Sequence, residues 1–434
     1  MPTRGYDPRT LLFFLPGNTT IKNPLPLFLT VAPMPDLDPR LKTSLGPLEL
    51  KNPFLLASGP PTASGGQIRR AFHMGWAGAV TKTIVPDTME IADVSPRFAA
   101  WNDTGSGLLG FENIELLSKN NVAYWMREIA AIRSEYPDRV LVASIMASPD
   151  IHEWQELAVM VQEAGADAVE LNVSCPHGMP ERGIGAFMGQ DPGMVSDVTR
   201  AVREVVKIPL IVKLTPNVTD IVPVARAAVE GGADILAAIN TVQCLMGIDL
   251  ENFEPLPAVA GSSAYGGYSG PAVKPIGLRV VSQIASSLQV PVMGIGGISC
   301  WQDAAEYIAA GASAVQVCTA VMWNGAGIIR AMNDGLSAYI AQKKMSGIPD
   351  LRGRALLRIG THAALRRDTP LVATLLYPRR CTSCGRCVVA CRDGGYQAIS
   401  LVEGNVVIDP ERCDGCSLCS LVCAEQVIAL QPRR

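Results

Sequence analysis

Eight of the twelve cysteines lie in the last fifty or so residues, as CTSCGRCVVAC (Cys381, Cys384, Cys387, Cys391) and CDGCSLCSLVC (Cys413, Cys416, Cys419, Cys423). Both read C-x2-C-x2-C-x3-C, the spacing that binds two four-iron, four-sulfur clusters, with the fourth cysteine of each run crossing to the other cluster. One cluster is therefore assigned to Cys381, Cys384, Cys387 and Cys423, and the second to Cys413, Cys416, Cys419 and Cys391. A pair of zinc ribbons is the alternative, but four cysteines packed into eleven residues, twice over, is an unusual zinc pattern. Bacterial cluster runs usually continue with Pro, whereas Arg392 and Ala424 follow here. Ligation needs only the thiolates, so a changed turn and potential are expected, with both clusters kept. Cysteines so placed speak for reduced thiolates and against a disulfide scaffold.

A second set of chemical residues lies upstream. Lys82 and Lys213 end apolar runs, where an ammonium is costly unless an anion or electron-rich group meets it. A structural salt bridge explains either lysine alone; two facing one cavity favour a bound cofactor. Backbone N–H groups for a phosphate are suggested by GIGGIS (294–299), by VCTA (317–320) and by YGGYSGPAVKPIG (265–277). Singly, each reads equally as a turn. Together with Ser58 in ASG they supply Ser58, Ser269, Gly270, Gly296, Gly297, Cys318 and Thr319 as cofactor candidates. No strand is followed by G-x-G-x-x-G and a helix, so a dinucleotide is not expected. One phosphate site, two lysines and two clusters point to FMN, the converter between one- and two-electron steps.

The stretch LNVSCPHG carries Asn172, Ser174, Cys175 and His177, and Asn113 (GFENIEL), Asn240 and Thr241 (AINTVQ) are expected on loops beside it. A lone cysteine at a strand end is usually inert; its place on the cofactor side makes Cys175 the catalytic candidate. Asparagine amides both donate and accept, so three of them suit a ring of alternating C=O and N–H groups better than a carboxylate.

The elements that must position these residues are eight short apolar runs, at 53–59, 77–84, 140–146, 167–173, 209–215, 234–240, 291–297 and 313–319. Such runs suit parallel strands covered on both faces, and the segments between them, such as IHEWQELAVMVQEAG, have helical periodicity. Eight strand–helix units in about 280 residues match a (β/α)8 TIM barrel, whose chemistry gathers at the C-terminal strand ends. An open doubly wound sheet is the rival. The expected layout is an extended N-terminal arm over 1–44, an FMN-binding barrel over 45–335, a connecting helical segment over 336–372 and a two-cluster ferredoxin-like domain over 373–434. The arm is either a wrapping segment or the product of an upstream start.

At 434 residues, 48% apolar and 18% charged, the chain can bury a full core. A net charge of -3 gives no electrostatic case for nucleic acid or an anionic membrane. The early apolar run 11–15 is stopped by Pro16, too short for a span or a secretory signal. A cytoplasmic protein is expected.

In ASGPPTASG, TKTI, GFENIEL, ELNVSCPHG, GQDP, KLTPNVTDI, AINT, GGYSG and GGI, in this order, the chain resembles the dihydroorotate dehydrogenase family of FMN barrels over about residues 45–434. Within it the likeness is to the dihydropyrimidine dehydrogenases, in which His stands where His177 is found. The resemblance implies that Cys175 is the general acid/base on a mobile loop. It also implies that Asn113, Asn172, Asn240 and Thr241 hold a pyrimidine and that Lys82 and Lys213 contact the flavin. Hydride would pass between flavin N5 and ring C6, with proton transfer at C5 by Cys175. Pro180 in the loop, and Gln243 and Cys244 after the Asn240–Thr241 pair, depart from the family pattern and could reshape the pocket. The large animal enzyme carries FAD and NADPH domains on one chain. Here a separate flavoprotein subunit or ferredoxin is expected to exchange electrons, in an oligomeric assembly. The competing readings are the same chemistry on another cyclic or enoyl substrate, dihydroorotate included, and an electron-transfer subunit whose barrel is a docking scaffold.

Overall fold

The computed structural model describes residues 37–103, 107–174 and 186–433. Eight parallel strands close into a barrel: β1 (Phe54–Leu56), β2 (Gly78–Val80), β3 (Val140–Ile145), β4 (Ala168–Asn172), β5 (Leu210–Leu214), β6 (Ile235–Ala238), β7 (Val292–Ile295) and β8 (Ala314–Val317). Each pairs with its sequence neighbours and β8 returns to β1, which removes the open-sheet alternative. All eight apolar runs are barrel strands. Alternation along each strand separates two cores. Leu55, Val80, Val142, Ile211, Ala237 and Met293 fill the interior, while Phe54, Leu56, Leu141 and Val212 face the helices.

The helices form where capping and periodicity agree. Asp150 opens Ile151–Glu163 by accepting from the His152 N–H at 3.0 Å, and Trp154, Leu157, Ala158 and Val161 bury one face. Asp191 caps Pro192–Val205, with Pro192 in the first turn where its missing N–H costs nothing.

A short hairpin, Thr43–Leu45 with Leu48–Leu50, precedes β1. Its Leu45, Leu48 and Leu50 belong to the interior core, so the hairpin is the barrel's floor, and the expected arm runs into it at Thr43 and Ser44. The remainder of the arm, 1–36, lies outside the described residues, as do Cys175, His177 and Pro180. A four-stranded antiparallel sheet stands over the strand ends, built from Phe98–Asp103, Gly107–Asn113, Val242–Cys244 and Gly266–Ser269. These stretches are expected as loops from the sequence. Their pairing is between segments far apart in the chain, such as Gly267 with Asn113, and no local signal carries it.

The chain divides into two compact units, one ending at Arg358 and one running from Ile359 to Arg434. The barrel unit reaches past position 335, because helix Ile329–Gln342 buries Met332, Leu336 and Ile340 in the outer core. The segment 336–372 is accordingly shared between the two units. Among the described residues no helix is long and apolar enough to cross a membrane.

In the second unit, Leu371–Leu375 pairs with Ile428–Pro432 and Ile399–Val402 with Asn405–Ile408. Helix Arg386–Gly394 carries Cys387 and Cys391, and helix Leu418–Leu421 carries Cys419. Cys387, Cys413 and Cys419 are buried among Val372, Ala373, Ile399, Val427 and Ile428.

Candidate functional site

The C-terminal ends of the barrel strands open into one cleft, with about 1120 Å³ of empty space when its open mouth is included. Asn113, Asn172, Asn240, Thr241, Ser58, Lys82, Lys213, Ser269, Gly270, Gly296, Gly297, Cys318 and Thr319 all line it. Strand parity explains the convergence. Lys82 and Asn172 continue the inward-facing series of Val80 and Ala168, and Lys213 follows Ile211 on β5.

The floor is charged. Lys82 Nζ pairs with Glu115 Oε2 at 2.9 Å, and Glu115 also meets Arg97 at 3.1 Å. Lys213 Nζ lies 3.8 Å from the fully buried Glu170. Gln316 Nε2 donates to the other oxygen of that carboxylate at 2.9 Å. Both lysines thus have carboxylate partners and still face the cleft. Cys318 lines the same cleft; burial pushes its thiol up to about 11, with Lys213 and Lys82 opposing, so it is neutral near pH 7.

One wall is amide and hydroxyl. Asn172 Nδ2 donates to Thr83 Oγ1 at 2.9 Å, and Thr83 Oγ1 lies within 3.2 Å of Ser58 Oγ and 3.1 Å of Ser144 Oγ. Asn240 Nδ2 donates to Asn172 Oδ1 at 3.2 Å and to Ser174 Oγ at 2.9 Å. Asn113, at the end of its strand, accepts the Glu115 N–H at 2.5 Å. Sequence reasoning misses Thr83, Ser144, Glu115, Glu170 and Gln316, which are polar residues inside apolar strands or one turn from a chosen residue.

The opposite rim is backbone. Gly297 has φ +70°, and a Cβ there would meet Lys274 N at 2.8 Å and the Gly270 carbonyl at 2.9 Å. The two loops approach this closely because position 297 is glycine. Thr319 Oγ1 donates to Ser269 Oγ at 3.0 Å, and the first N–H groups of Thr319–Asn324 have no partner inside their helix. Asp303 holds the loop from below, accepting from the Ser299 N–H and hydroxyl, both at 2.8 Å, and from Lys274 at 2.7 Å.

Cys244 lies beside Glu112 on the sheet above the cleft. Burial, then the Glu112 charge, pushes its thiol up to about 12, which leaves it unsuited to acid–base work.

The residues present fit FMN. Backbone N–H and hydroxyl groups at the rim suit a phosphate, and cations and amides face the space for a ring. Gln316 lines the cleft and its buried Oε1 has no hydrogen-bond partner among the described residues.

The second unit fits two clusters on equally direct grounds. A mostly apolar cavity of about 310 Å³ is lined by Cys391, Cys413, Cys416 and Cys419, the set assigned to one cluster from spacing. N–H groups of Ala373 and Ala398 donate to the sulfurs of Cys413 and Cys391, both at 3.3 Å. The two runs also repeat one backbone conformation. Ser383 and Gly415 have φ +52° and +76°, and Gly385 and Ser417 have φ +74° and +70°. Alternating handedness of this kind turns successive N–H groups into a concave nest for an anion.

The comparisons with known proteins agree with this geometry. The family model "Dihydroorotate dehydrogenase" matches residues 40–340, and the "4Fe-4S dicluster domain" model matches 375–430. The chain is 37% identical over 371 residues to dihydropyrimidine dehydrogenase (NADP(+)), chloroplastic, of Arabidopsis thaliana, covering 83% of this chain and 85% of that protein. It is 39% identical over 363 residues to NAD-dependent dihydropyrimidine dehydrogenase subunit PreA of Escherichia coli K12, covering 82% and 86%. It is also 39% identical over 319 residues to dihydroorotate dehydrogenase B (NAD(+)), catalytic subunit, of Pyrococcus abyssi, covering 73% and 99%. An electron-transfer scaffold without a site is thereby set aside: the chain is an oxidoreductase acting on CH–CH bonds, with FMN and two [4Fe-4S] clusters as cofactors. It belongs to the dihydroorotate dehydrogenase family, as an iron–sulfur flavoenzyme of the dihydropyrimidine dehydrogenase kind.

Proposed function

We propose that the protein interconverts a pyrimidine, uracil or thymine, and its 5,6-dihydro form. The observation that carries this reading is the set of neutral polar groups of Asn113, Asn172, Asn240 and Thr241 lining the same cleft as Lys82 and Lys213. A ring edge that alternates C=O and N–H needs partners that both donate and accept, and a carboxylate-bearing ring would call for a cation there instead.

In this reading the amides grip and orient the ring, and Cys175 holds or moves the proton at ring C5. Cys175 directly follows Ser174 in the sequence, and the Ser174 hydroxyl accepts from Asn240 at 2.9 Å. An unperturbed thiol, with a pKa of about 8.5, is protonated at neutral pH and can act as the acid. Lys82 and Lys213 face the cofactor ring, while Ser58, Ser269, Gly270, Gly296, Gly297, Cys318 and Thr319 hold the rest of it. FMN, when bound, supplies hydride transfer and exchange of single electrons with the clusters.

Cys381, Cys384, Cys387 and Cys423 hold one cluster, and Cys413, Cys416, Cys419 and Cys391 the other. Electrons pass through them to a separate flavoprotein subunit or ferredoxin. Two of the relatives carry "subunit" in their names, one of them as a catalytic subunit, which supports a partner on another chain. A cytoplasmic setting suits thiolate-ligated clusters.

The test is anaerobic addition of dihydrouracil, dihydrothymine and dihydroorotate in turn to the purified holoenzyme. Bleaching of the flavin by either dihydropyrimidine is expected. No bleaching by any of the three, with dithionite still reducing the flavin, would sink the pyrimidine reading. Bleaching by dihydroorotate alone would move the assignment to that substrate.

A further inference from the structure

Glu170 is fully buried inside the barrel, two residues before Asn172 on β4. Residues two apart share a face of a strand, so both side chains point inward, Glu170 one layer deeper. Its Oε2 accepts from Gln316 Nε2 at 2.9 Å, and the same Nε2 reaches Met293 Sδ at 3.2 Å. Its Oε1 has no hydrogen-bond partner among the described residues and lies 3.8 Å from Lys213 Nζ. That separation is within ion-pair range and beyond a hydrogen bond. Lys213 and Gln316 line the cleft, and Glu170 lies beneath them.

A carboxylate sealed in a barrel interior is expensive and is kept only against a countercharge. Two apolar residues and a slightly wider layer would fill the same space without that cost. The pair is also incomplete, because the ammonium stops short of contact with the oxygen it balances and presents its other side to the cleft. We infer that Glu170 is a positioning residue that sets, through Lys213, how much positive charge the cleft presents to its cofactor. The inference rests on the reading of the cleft as the FMN site with Lys213 at the ring. Negative charge gathered on a reduced flavin competes with Glu170 for Lys213. The carboxylate therefore holds the flavin's electron affinity below the value that an unpaired lysine would give. Unit charges a few ångströms apart in a protein interior interact strongly enough for this to register.

The probe is sulfite, which adds at flavin N5 and leaves negative charge on the ring, so that its affinity reports positive charge nearby. It is titrated into the anaerobic oxidised holoenzyme alongside measurement of the flavin midpoint potential. Glu170→Gln keeps shape while removing charge, and should bind sulfite tighter by about tenfold, the order expected for one charge at this range, with a raised potential. Lys213→Met should weaken sulfite binding and lower the potential. Glu170→Asp keeps the charge but withdraws it by one methylene, and should fall between wild type and Glu170→Gln; it decides the matter if Glu170→Gln does not fold.

Flavin-loaded Glu170 variants with wild-type or weaker sulfite affinity would overturn the inference and leave a purely structural ion pair. Wild-type protein that retains no FMN would instead sink the underlying reading of the cleft, and the two failures are told apart by flavin content before any sulfite is added.

Discussion

Asn240 Nδ2 donates to Asn172 Oδ1 at 3.2 Å, joining the ends of two strands 68 residues apart. Because Asn172 spends its own Nδ2 on Thr83, and Asn240 Oδ1 accepts the Thr241 N–H at 2.9 Å, both amides are locked in orientation before any substrate arrives. Asn240→Asp would set a carboxylate oxygen against Asn172 Oδ1. We expect flavin content to be retained and substrate binding to weaken by about 1–3 kcal/mol, read as a rise in KM or in the Kd of a dihydropyrimidine.

Cys175→Ala should leave flavin and iron content unchanged and slow turnover by roughly 10²- to 10⁴-fold, the usual contribution of a general acid–base group. Stopped-flow reduction by dihydrouracil measures it directly. Unchanged turnover would remove the residue from the mechanism.

Gly297→Ala meets two obstacles, a φ of +70° and backbone atoms at 2.8 and 2.9 Å from the new Cβ. Left-handed strain alone costs about 1–3 kcal/mol, and the loop that must yield is the proposed phosphate rim. A lowered Tm and loss of flavin on gel filtration are the expected outcome. A variant that keeps both would show that the rim tolerates a wider loop.

Acid should loosen the same rim. Burial alone would raise the Asp303 carboxyl, but the hydrogen bonds from Lys274 and Ser299 outweigh it and hold the group below its ordinary value. A carboxyl depressed in the folded state contributes stability that is present above its unfolded pKa of about 3.9 and is lost as pH falls through the folded value. Thermal melts of wild type and Asp303→Asn should therefore be well separated at neutral pH and converge below about pH 4. Parallel curves across that window would contradict the assignment.

Crossed ligation makes a distinctive prediction for paired substitutions. Cys391→Ser with Cys413→Ser should remove about half of the iron, since the proposed assignment gives both to one cluster, whereas Cys391→Ser with Cys381→Ser should damage both clusters. Iron analysis and low-temperature EPR of the reduced proteins distinguish the two results.

What was legible in the sequence had a local signature. The barrel strands are continuous apolar runs, the rim loops are glycine clusters, and the cluster module is a spacing rule. Lys82, Lys213, Asn172 and Asn240 stand out because each is polar at or near the end of an apolar run. Glu170 is equally polar but sits in the middle of DAVELNV, and its partner Gln316 is 146 residues away; nothing local announces the pair. The sheet over the cleft escaped for the same reason. Its strands are short, Gly-rich or half-exposed, and their hydrogen bonds run between distant segments. Only closure of the barrel brings such partners together.

The hairpin whose Leu45, Leu48 and Leu50 pack into the barrel interior turns the barrel into a vessel with a stopper at one end. The cofactor and substrate candidates line one cleft, so the molecules that bind there enter and leave over one rim, last in, first out. The group seated deepest has to be loaded before any substrate, and product must leave by the way substrate came. Such a site admits its substrate only in front of the seated cofactor, so the order of binding is set by architecture as well as by chemistry.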